Sequence, residues 1–82
     1  MIKAIVAGAA GRMGKRIIHM IQQNEEITLA GAFEMPDHPN IGEDAGQVAG
    51  TGESGVRIAG SLEEVIDQGD MLIDFTAPQA TL

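Results

Sequence analysis

The sequence predicts an α/β protein built on a parallel sheet, and three observations carry that prediction. Short apolar runs bounded by turn residues recur along the chain. Between them the apolar spacing changes to that of a helix, and a glycine-rich turn joins the first run to the first helix. Strands alternating with helices require crossover connections, which give parallel strands covered on both faces. For four such strands in an open, incomplete doubly wound sheet the expected order is 3-2-1-4. Ligand is then expected where the first and fourth strands diverge, beyond their carboxyl ends.

The elements follow in order. Residues 2 to 7 are almost continuously apolar and end at Gly8, as a strand buried on both faces requires. Over residues 12 to 23 Met13, Ile17, Met20 and Ile21 recur on one side with Ile18 beside them. Lys15, Arg16, His19, Gln22 and Gln23 take the other side, and Asn24 ends the helix. Residues 27 to 33 form a second strand closed by Glu34. The stretch from 35 to 55 is turn-rich, with Asn40 and Glu43 spaced to cap a short helix through about Val48. Val56 to Ala59 reads as a third strand. Ser61 and Glu64 have the spacing of a capping box that opens a helix through Asp67, stopped by Gly69. Met71 to Phe75 reads as a further buried strand, and Thr76-Ala77-Pro78 as the entry to a helix that Leu82 leaves about one turn long.

Size and charge narrow the function. With 82 residues, one domain is the upper bound, and an active site plus a substrate domain is hard to accommodate. Five basic residues against twelve acidic ones give a net charge of −7, which excludes a polyanion-binding surface. Aromatic residues make up 2% of the chain, too few for a base-stacking platform. Cysteine is absent, so disulfides and thiolate metal sites are excluded. The charge is also uneven. Lys3, Arg12, Lys15 and Arg16 precede every acid, whereas from Glu25 onward only Arg57 interrupts the acidic residues. On charge alone a solvated helix face that happens to be basic is the favoured reading, and a small anionic ligand held at the cationic end is the alternative. Neither a signal peptide nor a membrane-spanning run is present, so a soluble cytoplasmic protein is expected. His19 and His38 lack partners at ligand spacing, and both are expected to be exposed, with no metal site.

The candidate site is the turn Gly8-Ala9-Ala10-Gly11-Arg12-Met13-Gly14, which follows a strand and opens a helix. Gly8 or Ala9 suits the tight turn, Gly11 a close approach of backbone to a pyrophosphate, and Gly14 close packing of helix on strand. The helix N-terminus offers unpaired N–H groups to phosphates, and Arg12 adds a charge there. Glu34 lies 20 residues past Gly14 at the end of the second strand, where an acid accepts hydrogen bonds from ribose hydroxyls. A 2′-phosphate meets the Glu34 charge, and Met35 follows where an Arg would help. The physical lean is therefore NADH over NADPH. Phe75 and Thr76, at the end of the fourth strand, are candidates to pack on the nicotinamide half, with a buried core Phe and a Thr helix cap as the equal alternative.

These residues resemble the dihydrodipicolinate reductase family. The resemblance rests on Val6 through Gly14, with Gly-Arg-Met-Gly at its centre, on Glu34, and on Gly42-Glu43-Asp44-Ala45-Gly46. Gly55-Val56, Ser61-Leu62 and Ile73-Asp74-Phe75-Thr76 extend it to Pro78. It implies a Rossmann-type domain that delivers hydride from NADH or NADPH to a cyclic unsaturated dicarboxylate in diaminopimelate and lysine synthesis. It carries a cofactor role onto Gly8, Ala9, Ala10, Gly11, Arg12, Met13, Gly14, Glu34, Phe75 and Thr76. Family members that use NADPH well tend to have Arg after the ribose acid; Met35 departs from that pattern, as does Ala77 from an Arg found in some members. The catalytic residues, the substrate domain and the contacts of a homotetramer lie later in such proteins. Residues 1–82 are thus expected to be the N-terminal part of a dinucleotide-binding domain without a catalytic residue. Two alternatives stand beside this. An extended short-chain dehydrogenase or epimerase shares the glycine spacing but usually has Thr where Ala7 stands. A non-catalytic NAD-sensing domain would complete the sheet without a substrate domain.

Overall fold

The structure, a computed structural model, describes residues 2–74. Four strands, β1 (Ile2–Ala7), β2 (Ile27–Phe33), β3 (Ile58–Ala59) and β4 (Met71–Ile73), form one sheet in the order β3-β2-β1-β4. Every pairing in it is parallel. This is the expected Rossmann-type order. The expected extension of the last strand through Phe75 and the helix entry at Thr76 and Pro78 lie outside the described residues.

The helix α1 (Arg12–Gln22) and the short helix α2 (Ala45–Ala49) share one core with one face of the sheet. Ile17, Ile18 and Ile21 of α1 meet Ala4 and Val6 of β1, Leu29 and Ala32 of β2, and Ile58 of β3. Small residues on the strands let α1 lie close, and the isoleucines fill the remaining volume. Ile5 alternates to the opposite face, where Val65 packs over Gly31.

Three local expectations are corrected. The helix of the long crossover is capped by Asp44, not by Asn40. The Asp44 Oδ1 accepts from the N–H groups of Gly46 at 2.8 Å and Gln47 at 3.1 Å, whereas Asn40 Nδ2 donates to Glu43 Oε1 at 3.3 Å. Gly42, with φ of 92°, interrupts any helix begun at Asn40. Ser61 and Glu64 bond to each other through their side chains at 3.3 Å and cap no backbone N–H. The segment after them forms two 3-10 turns, Leu62–Glu64 and Ile66–Gln68, not a helix, since Val65 between them takes φ of −123° to bury its side chain. The third strand is shorter than expected. Val56 gives its carbonyl to Ala45 N–H, and Arg57 bridges Asp44 in antiparallel sense, so only Ile58 and Ala59 pair with β2.

Burial also departs from expectation in places. Met13 is 50% and Met20 69% exposed, flanking the buried isoleucine stripe instead of joining it. With Ile17, Ile21, Ile27 and Ile73 they line an open apolar groove beside β4. Met71 and Leu72 are exposed as well, because β4 is an edge strand paired with β1 alone among the described residues. His19 is exposed as expected, yet it is not merely solvated: its Nε2 lies 2.8 Å from the Ala49 carbonyl and ties α1 to α2. His38 is half-buried in its turn, its Nδ1 accepting from Asn40 N–H at 3.1 Å.

Candidate functional site

The turn between β1 and α1 begins with Gly8 at φ of 65°, left-handed backbone that a side chain would strain. The tight turn is therefore at Gly8, not Ala9. The Gly8 and Ala9 N–H groups both donate to the Phe33 carbonyl, at 3.0 and 3.3 Å, which fastens the turn to the end of β2. Gly11 follows as the N-cap of α1 in extended conformation, and its N–H donates to the Gly8 carbonyl at 3.0 Å.

Gly14 is buried in the first turn of α1. A Cβ there would stand 2.1 Å from the Gly8 carbonyl oxygen and 2.8 Å from Ala9 Cα. Helix and loop thus touch backbone to backbone, and only hydrogen fits. At Gly11 an added Cβ would meet only the Gly8 oxygen, at 3.4 Å. Its open side faces away from protein atoms, as a residue approached closely by a ligand requires.

The N-terminus of α1 has no side-chain cap and no acid in its first turn. The first intrahelical acceptor is the Gly11 carbonyl, which takes the N–H of Lys15 at 2.9 Å. The N–H groups of Arg12, Met13 and Gly14 precede it and are left for a ligand or water. Arg12, Lys15 and Arg16 gather beside them around a shallow cleft with Met13. Lys3 does not belong to this group. It sits at the opposite, amino-terminal end of β1 beside Asp70.

Glu34 closes the site from β2. Its backbone N–H donates to the Ala59 carbonyl at 2.9 Å, and its Oε2 accepts from the Ala10 N–H at 2.7 Å. Twenty-four residues apart in sequence, the acid and the glycine turn form one unit. Beside them a cleft of about 290 Å³ opens at the carboxyl ends of all four strands, with Gly8, Phe33, Glu34, Met35, Ser61 and Asp74 in its lining. Sequence reasoning missed Gly60 and Ser61 as part of this wall. The available signal was topological: residues directly after the third strand share the carboxyl edge with those directly after the second.

Of the residues singled out from sequence, Gly8 through Gly14 and Glu34 are brought together here. Phe75 and Thr76 lie outside the described residues. Among the described residues no cluster of three or more His, Cys, Asp or Glu is placed to hold a metal ion. No helix among them is long and apolar enough to cross a membrane.

A nicotinamide dinucleotide fits these features: uncapped N–H groups for a pyrophosphate, a backbone cradle at Gly8 and Gly14, and a carboxylate lining a cleft at the carboxyl edge of the sheet. The family model described as "Dihydrodipicolinate reductase, N-terminus" matches residues 2–82. The chain belongs to that family. A 4-hydroxy-tetrahydrodipicolinate reductase of Pelobacter propionicus is 54% identical over 82 residues, covering all of this chain and 31% of the relative. The enzyme of the same name from Citrifermentans bemidjiense is 50% identical with the same coverage. That of Desulfotalea psychrophila is 46% identical, with 30% of the relative covered. The chain thus spans under a third of the length of these relatives. A solved structure, dipicolinate-bound dihydrodipicolinate reductase from Paenisporosarcina sp. TG-14, aligns over 99% of this chain with a TM-score of 0.67. At 22% identity, and covering 31% of that protein, the likeness establishes a shared fold. Neither a short-chain dehydrogenase nor a non-catalytic sensing domain is favoured by these matches.

Proposed function

We propose that this chain is the cofactor-binding N-terminal part of a 4-hydroxy-tetrahydrodipicolinate reductase, and that it binds NADH in preference to NADPH. The observation that carries the reading is the junction of Glu34 with the Ala10 N–H at 2.7 Å. It sets a ribose-type carboxylate beside uncapped helix N–H groups at the carboxyl edge of a parallel sheet.

In this reading the first-turn N–H groups of α1 and the Arg12 guanidinium hold the pyrophosphate. Gly11 admits it closely, and Gly8 and Gly14 keep helix and turn in contact. Glu34 accepts from the adenosine ribose, and the Met35 and Ser61 side of the cleft receives the adenine. Phe75 and Thr76 are assigned to the nicotinamide half. The bound cofactor supplies a hydride. The protein's part is to orient it and exclude competing reactions. The acceptor is a small cyclic dicarboxylate held by residues outside this chain, as are the groups that move protons to it. From the family resemblance, the whole protein is assigned a cytoplasmic place in lysine and diaminopimelate synthesis and a homotetrameric assembly.

The NADH preference follows from charge. A 2′-phosphate is placed against the Glu34 carboxylate, and Met35 brings no cation to offset it. Isothermal titration of the full-length protein with NADH and NADPH tests this. Tighter NADH binding is expected, and equal or tighter NADPH binding overturns the preference.

A further inference from the structure

We infer that Glu34 positions the anion-binding turn as well as meeting the ribose, one carboxylate oxygen for each task. This role rests on the cofactor reading above and extends it.

Each N–H group of the turn has one acceptor. Between β1 and α1, Gly8 and Ala9 donate to the Phe33 carbonyl and Gly11 donates to the Gly8 carbonyl. Ala10 donates to Glu34 Oε2, the sole side-chain acceptor among the four. With these bonds made, the turn has no N–H of its own left over. The uncommitted donors begin at Arg12, in the helix. The carboxylate therefore acts as the peg that holds the turn shut and sets the direction of the first helical turn. Left unpaired, the Ala10 N–H would turn toward water, and the turn would no longer hold the helix donors in one direction. Oε1 has no protein partner among the described residues, so a ribose hydroxyl can be met without breaking the peg. Loop order and ribose recognition are coupled through one side chain, so its removal weakens phosphate binding even for a ligand without ribose hydroxyls.

A ligand without those hydroxyls isolates the effect. In the full-length protein, binding of ADP and of 2′,3′-dideoxy-ADP is compared among the unmutated protein, Glu34→Gln and Glu34→Ala. Gln keeps an oxygen for Ala10 and matches Ala in charge, so electrostatic relief of the phosphates cancels between the two variants. Glu34→Ala is expected to bind dideoxy-ADP roughly three- to tenfold more weakly than Glu34→Gln, the range one neutral hydrogen bond supports. Glu34→Asp, which keeps the charge but withdraws the oxygen by one methylene, is expected to bind dideoxy-ADP more weakly than the unmutated protein. It provides a second reading should the Ala variant fold poorly. Equal dideoxy-ADP binding by the Gln and Ala variants, or full binding by the Asp variant, overturns the positioning role and leaves the ribose role intact. Absence of ADP binding by the unmutated protein overturns the cofactor reading itself, and this role with it.

Discussion

Replacing Gly14 by Ala tests the helix–turn contact on which the site is built. Two effects oppose each other. Inside a helix Ala is favoured over Gly by about 0.8–1.0 kcal/mol. Against this, the new Cβ stands 2.1 Å from the Gly8 oxygen, 2.8 Å from Ala9 Cα and 2.9 Å from the Gly8 carbonyl carbon. All three are backbone atoms of a turn already fastened to Phe33. No side chain can rotate away, so α1 must move off the turn by about 1 Å to restore ordinary contact. Overpacking of this kind costs about 1–3 kcal/mol and sometimes more, and rigid obstacles place it at the upper end. The clash wins, with a net loss of about 2 kcal/mol. Urea denaturation measures it, with Gly11→Ala as the control. There the added carbon meets one atom at 3.4 Å and φ is −79°, so the change stays within about 1 kcal/mol. Gly11→Ala is expected to lose NADH affinity rather than stability. A Gly14→Ala protein as stable as the unmutated one would refute the packing argument.

Three further outcomes are expected. The Asp44 carboxyl is raised by burial, but hydrogen bonds from the Ser54, Gln47 and Gly55 N–H groups and the Ser54 hydroxyl outweigh this and hold it at about 2, below the ordinary 3.8. Because the folded value is the lower one, the stabilisation is present above about pH 4 and is lost as pH falls toward 2. Asp44→Ala should cost about 0.5–2 kcal/mol at neutral pH, and urea midpoints taken down to pH 2 should converge with those of the unmutated protein. Ile18→Ala, at a position with no exposure, should cost about 2–5 kcal/mol, whereas Met20→Ala, 69% exposed, should stay near 0.5 kcal/mol in the same assay. Met35→Arg should raise the NADPH-to-NADH affinity ratio by about tenfold through a charge-assisted bond to the 2′-phosphate, and an unchanged ratio in titration would place that phosphate elsewhere.

The sheet was legible because its signals are local and agree with one another. Unbroken apolar runs, a change to helical spacing and glycines at the joint all point to the strand order observed. The juxtaposition of Gly8 to Gly14 with Glu34 was legible too, since the glycine spacing and the interval to the acid are linear features, while Phe75 and Thr76 lie outside the described residues. What sequence could not supply depended on neighbours distant in the chain. Asp44 outcompetes Asn40 as a cap because Ser54 and Gly55 fold back onto it, ten and eleven residues on. Ser61 fails as a cap because Val65 is claimed by the space over Gly31 on the sheet. Met13 and Met20 satisfied the helical period, but the period does not say how wide a stripe the sheet will cover. The bond from Ala10 to Glu34 required the β1–β2 pairing to exist before it had any meaning.

The central claim is that the β1–α1 turn and Glu34 together form a dinucleotide site. Hydrogen–deuterium exchange of the full-length protein, with and without saturating NADH, tests it most directly. Protection is expected in peptides covering residues 8–14 and 33–36, with residues 45–55 unaffected. Protection absent from residues 8–14, or centred on the crossover, would contradict it.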